Sequence, residues 1–120
     1  MILAFVDDLL FGSRIRAVAD RVGRPVSFAG LGSAAADVRA SRPDLIIIDL
    51  DRSGSDPMAA IKAIKSDPDP AVNGVTIVGY VSHVRVDLID AARAAGIDLV
   101  LARSAFVAKL AELLAGTPAS

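Results

Sequence analysis

The residues best suited to chemistry are aspartates that follow runs of aliphatic side chains. Asp7 and Asp8 come directly after the apolar run at residues 2–6, and Asp49 and Asp51, with one residue between them, end a second such run. A carboxylate is costly to bury without a partner, so we expect Asp49 to mark the point where a buried strand leaves the core. Carboxylates that share one pocket repel one another unless their pKa values rise or a cation joins them.

An acidic pocket with room for water and phosphate oxygens suits Mg²⁺, which binds few carboxylates and keeps several waters. In the presence of Mg²⁺, a carboxylate can attack a phosphoryl group and hold it as an acyl phosphate. That chemistry needs a positive charge nearby to balance the phosphoryl oxygens. Arg103, which directly follows the predicted strand at residues 98–102, is placed to supply this charge.

Five apolar runs are predicted to be the strands that position these side chains. The run at residues 45–49 shows no polar alternation and is rich in β-branched residues, which is typical of a strand buried on both faces of a parallel sheet. The predicted strands are residues 2–6, 26–29, 45–49, 75–81 and 98–102.

Segments with helical spacing separate these strands. They cover residues 11–22, 33–40 with Ser33 as the cap, 57 to the prolines at 68 and 70, 85–95 with Gly96 as the C-cap, and a last helix after Ser104 as N-cap. The polar loop up to Gly74 is predicted to be mobile.

Strands that alternate with helices predict a single doubly wound α/β domain, a five-stranded parallel sheet with helices on both faces. Right-handed crossovers favour the flavodoxin-like strand order 2-1-3-4-5, with the ligand-binding switch point between strands 1 and 3. In this topology Asp7, Asp8 and Asp49 lie side by side at the switch point, and Arg103 lies on the same edge.

The composition excludes several classes of protein. The chain has 120 residues, of which 53% are hydrophobic, and a net charge of −1, so no basic surface points to nucleic acid or to a membrane. The absence of cysteine excludes disulfide scaffolds and thiolate metal sites. No signal peptide or membrane-spanning run is present, and we expect a cytoplasmic protein. Residues 1–116 are expected to form the domain, with a short tail at 117–120 and no output domain.

The motifs resemble those of response regulator receiver domains, and the resemblance covers nearly the whole chain. The matching residues are Phe5-Val6-Asp7-Asp8, Pro43-Asp44 with the strand to Asp49, Gly54 and Asp56 in the following loop, and Gly96-Ile97-Asp98. The resemblance implies that Asp49 is the phosphoacceptor, and that Asp7, Asp8, Asp49 and the backbone carbonyl of Asp51 hold Mg²⁺. It implies a signalling module rather than an enzyme, phosphorylated by a histidine kinase or phosphotransfer protein and acting through a protein partner.

Four positions depart from the pattern of the family. Where receivers carry Thr or Ser at the end of strand 4, the aligned residue is Val81, and Ser82 could replace it as a phosphoryl hydrogen-bond donor only if the strand ends in a bulge. Arg103 stands where the family usually carries Lys, and Ser104 stands where a Pro usually follows that Lys. Val100 aligns with the aromatic switch residue of the family. The chain is therefore interpreted as an atypical receiver.

Several alternative interpretations stay open. A pseudo-receiver would dock partners without phosphorylation. Asp49-Leu50-Asp51 also fits the Asp-x-Asp motif of haloacid dehalogenase-like phosphatases, and residues 30–35 fit a G-x-G-x-x-A dinucleotide motif, although on a predicted edge strand. His83, the only histidine, is interpreted as a loop residue, with a pH-sensitive role as the alternative.

The last helix carries a wide apolar stripe. Most of it is expected to pack in the core, and its outer part is a candidate surface for a homodimer or another protein. The stripe consists of Phe106, Val107, Leu110, Leu113 and Leu114.

Overall fold

A computed structural model describes residues 1–51, 56–82 and 85–115 of the chain. It contains one five-stranded sheet in the order β2-β1-β3-β4-β5, with every neighbouring pair parallel. This confirms the predicted flavodoxin-like topology and places the switch point between β1 and β3. The strands are β1 (Ile2–Phe5), β2 (Val26–Phe28), β3 (Leu45–Asp49), β4 (Thr76–Val81) and β5 (Leu99–Ala102).

Helices connect successive strands and cover both faces of the sheet. They are α1 (Leu9–Arg21), α2 (Ala34–Ser41), α3 (Pro57–Lys65), α4 (Pro70–Asn73), α5 (Val86–Ala95), α6 (Arg103–Ala108) and α7 (Leu110–Ala115), and a 3₁₀ turn (Leu31–Ser33) precedes α2. Gly96 is the predicted C-cap of α5, and its φ of 107° explains why glycine occupies this position.

The sheet separates two cores, because strand side chains point alternately to opposite faces. On one face, Ile46 and Ile48 pack in a cluster that also includes side chains of α2, α3 and α5. On the other face, Ile47 packs with Tyr80 and with Phe106 of α6 in a cluster that α1 completes. Full burial of such a side chain contributes about 1.5–3 kcal/mol, so these two clusters fix the register in which the site residues emerge.

Two helix starts differ from the sequence-based expectation. Helix α1 begins at Leu9 rather than near residue 11, because the carboxylate of Asp8 accepts a hydrogen bond from the backbone N–H of Phe11 and caps the helix. Helix α6 begins at Arg103, so its N-cap is Ala102, and the prediction that Ser104 is the cap is wrong.

Two segments are organised differently from the predictions. The polar loop before β4 contains the short helix α4, because Asp69 caps it and Pro70 occupies its first turn, where a proline favours a helix. The last helix is divided at Lys109 into α6 and α7.

No helix in the described ranges is both long enough and apolar enough to cross a membrane. Gly54, His83 and the predicted tail at 117–120 lie outside the described residues, so the predictions made for them stay predictions.

Candidate functional site

Asp49 ends the central strand β3 and is one of two buried charged or polar residues in the described part of the chain, with 6% of its surface exposed. One of its carboxylate oxygens, Oδ1, accepts a hydrogen bond of 2.9 Å from the backbone N–H of Asp51. The backbone N–H of Leu50 donates to the carbonyl of Tyr80 at 3.0 Å, which ties the end of β3 to β4. The carboxylate is therefore held by the backbone at the carboxyl edge of the sheet.

The electrostatic surroundings raise the pKa of Asp49 above its ordinary value. Burial is the largest cause, and the negative charges of Asp51 and Asp7 add to it, whereas the Asp51 N–H and the charge of Arg103 oppose it. The sequence predicted that Asp7, Asp49, Asp51 and Arg103 lie at one edge of the sheet. In the structure, the other three are close enough to Asp49 to change its pKa.

Asp7 and Asp8 follow β1, and both are exposed. Since Phe5 pairs with Ile48 in the sheet, the chain beyond β1 emerges beside Asp49 at the switch point. Asp8 caps α1. Burial is the main cause that raises the pKa of the nearby Tyr80, and the charges of Asp49 and Asp8 add to it. Asp7 and Asp8 thus lie at the site, and the carboxylate of Asp8 already accepts a hydrogen bond from the first turn of α1.

Ser82 lies on the same side of the sheet as Asp49, and no bulge is needed to bring it there. Asp49 pairs with Tyr80, and the β4–β5 register continues without an inserted residue to Val81. Val81 is fully buried in the opposite core, so alternation returns Ser82 to the side of Tyr80. The expectation that Ser82 requires a bulge is therefore wrong.

The surroundings of Ser82 agree with this placement. Its backbone N–H donates a hydrogen bond to Oδ2 of Asp51, and it lines a cavity of about 680 Å³ together with Asp8 and Arg103. Ser82, rather than Val81, therefore lies on the side of the sheet that carries Asp49.

Arg103 lies at the same edge but does not form an ion pair with Asp49. Its guanidinium carbon lies 4.7 Å from the centre of the Phe11 ring and 5.4 Å from that of Tyr80, both within the range of a cation–π contact. The positive charge predicted for this edge is present, and aromatic faces hold it in place.

Tyr80 is the site residue that sequence reasoning missed. It is fully buried, and its ring packs against those of Phe11 and Phe106 at centroid distances of 4.7 and 4.9 Å. Burial and the charge of Asp49 raise its pKa, whereas the nearby Arg103 lowers it without reaching hydrogen-bonding geometry. The lone tyrosine in an otherwise aliphatic strand was the available signal, since a buried phenol needs a polar neighbour.

The donor chemistry at this edge fits Mg²⁺, although no metal cage is assembled. Among the described residues, no group of three or more Asp, Glu, His or Cys side chains is close enough to hold a metal ion. Mg²⁺ requires only one or two carboxylates because it keeps most of its water. Carboxylates that raise the pKa of a buried neighbour are the environment that such a cation relieves.

Two other predicted features lie apart from this site. The glycine motif at residues 30–35 follows β2, which is an edge strand, and leads into the 3₁₀ turn before α2. Val100 lies in β5, paired with Gly79, and is half-buried on the face of the sheet opposite Tyr80.

Comparisons with known proteins agree in fold and differ widely in sequence. No family model and no curated protein sequence matches the chain. Among solved structures, the phosphorylated cyanobacterial phytochrome response regulator RcpA matches with a TM-score of 0.78 and 24% identity, over 96% of this chain and 88% of RcpA. The chemotaxis response regulator CheY4 of Vibrio cholerae matches with a TM-score of 0.79 and 18% identity, over 94% of this chain and 93% of its own.

A third match holds a metal ion. The receiver domain of the sensor histidine kinase PA1611 from Pseudomonas aeruginosa, with magnesium coordinated in its active-site cleft, gives a TM-score of 0.80 at 21% identity, over 94% of this chain and 92% of its own. At these identities the comparisons establish the architecture, and the chain has the fold of response regulator receiver domains.

Proposed function

We propose that this chain is a receiver module of two-component signalling that accepts a phosphoryl group on Asp49. The observation that carries the proposal is the buried Asp49 carboxylate at the end of the central strand, with its pKa raised and with both acidic and basic groups within electrostatic reach. An enclosed carboxylate beside a cation is suited to nucleophilic attack on phosphorus. Two of the structural matches support this proposal, since RcpA is phosphorylated and PA1611 holds magnesium.

In this proposal Asp7, Asp8, Asp49 and the backbone carbonyl of Asp51 hold Mg²⁺. The ion supplies positive charge that offsets the charge of the carboxylates and of the phosphoryl oxygens. The capping hydrogen bond of Asp8 uses one of its carboxylate oxygens and leaves the other available as a ligand.

The protein's own side chains carry out the transfer and hold the phosphoryl group. An Asp49 oxygen forms the new bond to phosphorus while the phosphorus–nitrogen bond of a phosphohistidine donor breaks, and the released imidazole takes up a proton. Arg103 balances the charge of the phosphoryl oxygens, and the hydroxyl of Ser82 donates a hydrogen bond to one of them. The donor is a histidine kinase or phosphotransfer protein in the cytoplasm, and the output passes to a protein partner.

A second candidate function is a docking module that works without phosphorylation. Its support is that one carboxylate oxygen of Asp8 already caps helix α1 and that Arg103 lies on aromatic rings rather than on Asp49. In the last helical region, Phe106, Leu110 and Leu114 are buried, and Val107 and Leu113 stay half-buried as the remaining candidates for a homodimer contact.

Binding of beryllofluoride, an acyl-phosphate mimic, separates the two functions. We expect Mg²⁺ with beryllofluoride to shift the backbone NMR resonances of Asp49, Ser82 and Arg103 in the wild-type protein, and to leave Asp49→Asn unchanged. Asp20→Asn, which removes an exposed carboxylate at the far end of α1, is the matched control and should respond like the wild type. A folded wild-type protein that shows no shifts at high Mg²⁺ would exclude phosphoryl acceptance and leave the docking function.

A further inference from the structure

Arg103 is held by two aromatic rings that come from different parts of the chain. Phe11 belongs to α1 and Tyr80 to β4, and the guanidinium of Arg103, at the start of α6, lies against both. The two rings also pack on each other, with Phe106 completing the cluster. Because Phe11 and Tyr80 are buried, the surface that the guanidinium contacts is rigid.

Two polar atoms in this cluster are buried without a hydrogen-bond partner among the described residues. They are the hydroxyl oxygen of Tyr80 and Nε of Arg103. Both groups carry a proton that they can donate, and buried donors normally find an acceptor. The cluster therefore contains two buried polar groups without a partner of good geometry; the phenol oxygen of Tyr80 can also accept, and the guanidinium of Arg103 lies near enough to lower the pKa of Tyr80.

The chain contains a second pair of the same kind that serves as a comparison. The guanidinium carbon of Arg16 lies 5.1 Å from the centre of the Phe28 ring. Arg16 is exposed, and its partner Phe28 lies in β2, outside the strand pair of β3 and β4 that carries Asp49. Among the described residues, two arginines thus make cation–π contacts, Arg16 on the surface and Arg103 beside the buried carboxylate.

We propose that Tyr80 is a positioning residue that, with Phe11, holds the planar guanidinium of Arg103 beside Asp49 and keeps its N–H groups available for the oxygens of a phosphoryl group. The stack replaces the ion pair that Arg103 would otherwise form with Asp49. A guanidinium binds two oxygens at once when its plane is fixed, so the rings prepare Arg103 for a group with several oxygens rather than for a single carboxylate oxygen. This inference rests on the proposed phosphoryl acceptance for its purpose, but the stack itself is testable without phosphorylation.

The first test follows the Nε–H proton of Arg103 by NMR in the unphosphorylated protein. We expect a resonance shifted from its random-coil position by the ring currents of Tyr80 and Phe11, with slow exchange against water. Tyr80→Phe keeps a ring and should retain the shift, whereas Tyr80→Leu should lose part of it, because the ring of Phe11 stays in place. A random-coil Arg103 Nε–H in the wild type would overturn the inference, whatever the protein does with beryllofluoride.

The second test measures the affinity for beryllofluoride in the presence of Mg²⁺. Loss of the tyrosine ring in Tyr80→Leu should weaken binding about tenfold, the size of a partly desolvated cation–π contact, while Tyr80→Phe stays within about twofold of the wild type. Arg16→Gln, which breaks the surface pair, is the matched control and should bind like the wild type.

A second ring variant guards against a folding defect. If Tyr80→Leu does not fold, Phe11→Leu removes the other ring from Arg103 and should weaken binding in the same direction. A wild type that binds beryllofluoride together with ring variants that bind equally well would disprove the positioning role and leave phosphoryl acceptance intact. A wild type that does not bind, but shows the shifted Nε–H, would disprove phosphoryl acceptance and leave the stack.

Discussion

The two edges of the sheet differ in whether their aspartates are paired with cations. At the amino edge, Asp44 pairs with Arg24 and the N-terminal amine, Asp67 with Arg39, and Asp98 with Lys65. At the carboxyl edge, Asp49 is buried near other carboxylates, and Arg103, whose charge acts on it, contacts aromatic rings instead of pairing with it.

The direction of the pKa shifts follows this difference. At Asp44, burial raises the pKa, but the hydrogen bond and charge of the N-terminus and the charge of Arg24 outweigh it and lower the pKa overall. The pKa of Asp67 is lowered by the backbone N–H of Asp69 and by Arg39. At Asp49 burial dominates and raises the pKa. One edge therefore stabilises the fold, and the other keeps a charge that an incoming group can neutralise.

The largest effect that the comparison predicts is at the amino edge, for Asp98→Ala. Oδ2 of Asp98 accepts hydrogen bonds from the backbone N–H of Ile77 at 2.8 Å and from Nζ of Lys65 at 2.9 Å. Because the substitution leaves the N–H of the buried Ile77 without its acceptor, we expect a loss of about 1–3 kcal/mol in the free energy of unfolding, measured by urea denaturation. Asp98→Asn keeps an acceptor oxygen and should lose less. Equal losses in the two variants would show that the hydrogen bond to Ile77 is not the cause.

The same type of change at the carboxyl edge should have the opposite sign. Asp49→Asn removes a buried charge and keeps an oxygen for the N–H of Asp51. We expect it to raise the free energy of unfolding at pH 7 without Mg²⁺ by on the order of 1 kcal/mol, in the same urea assay. A destabilised Asp49→Asn protein would mean that Asp49 is compensated as well as the amino-edge aspartates are, and the contrast between the edges would disappear.

At the carboxyl edge, the sequence predicted which residues end the strands better than it predicted the contacts between their side chains. Apolar runs that end in Asp7 and Asp49 predicted where strands leave the core, because burial constrains each strand separately. The position of Arg103 on Phe11 and Tyr80 depends on contacts between three distant segments, and no local pattern encodes it. Alignment by spacing chose Val81, whereas the pairing of Asp49 with Tyr80 selects Ser82.

The amino edge was harder to predict because its ion pairs join different loops. The pairing of Arg39 with Asp67 connects α2 to the segment after α3, and nothing in either local sequence specifies it. Helix α4 was missed for a related reason, since Pro70 was interpreted as a breaker although a proline after a capping aspartate also starts a helix.

A smaller effect should appear when pH is lowered without Mg²⁺. The folded-state pKa of Asp49 is above 3.8, its ordinary value, so the folded protein binds this proton more tightly than the unfolded chain does. The penalty of the Asp49 charge is fully present above the folded pKa and is relieved as pH falls toward 3.8. The stability advantage of Asp49→Asn over the wild type should therefore shrink as pH decreases, in urea denaturation at a series of pH values. A constant advantage would contradict the raised pKa.

The smallest effect should come from Asp44→Asn, which weakens the exposed pair with Arg24 and the N-terminus. Since the Asp44 side chain is 62% exposed, solvent screens these charges, and we expect a loss of about 0.2–1 kcal/mol at pH 7. The pKa of Asp44 is lowered, so its contribution is present above 3.8 and disappears as pH falls below that value, opposite in direction to Asp49. High salt should reduce the loss in Asp44→Asn and leave the larger effect of Asp98→Ala nearly unchanged, because a hydrogen bond to a buried N–H is not screened. A loss in Asp44→Asn that is insensitive to both salt and pH would show that the amino edge depends on shape rather than charge.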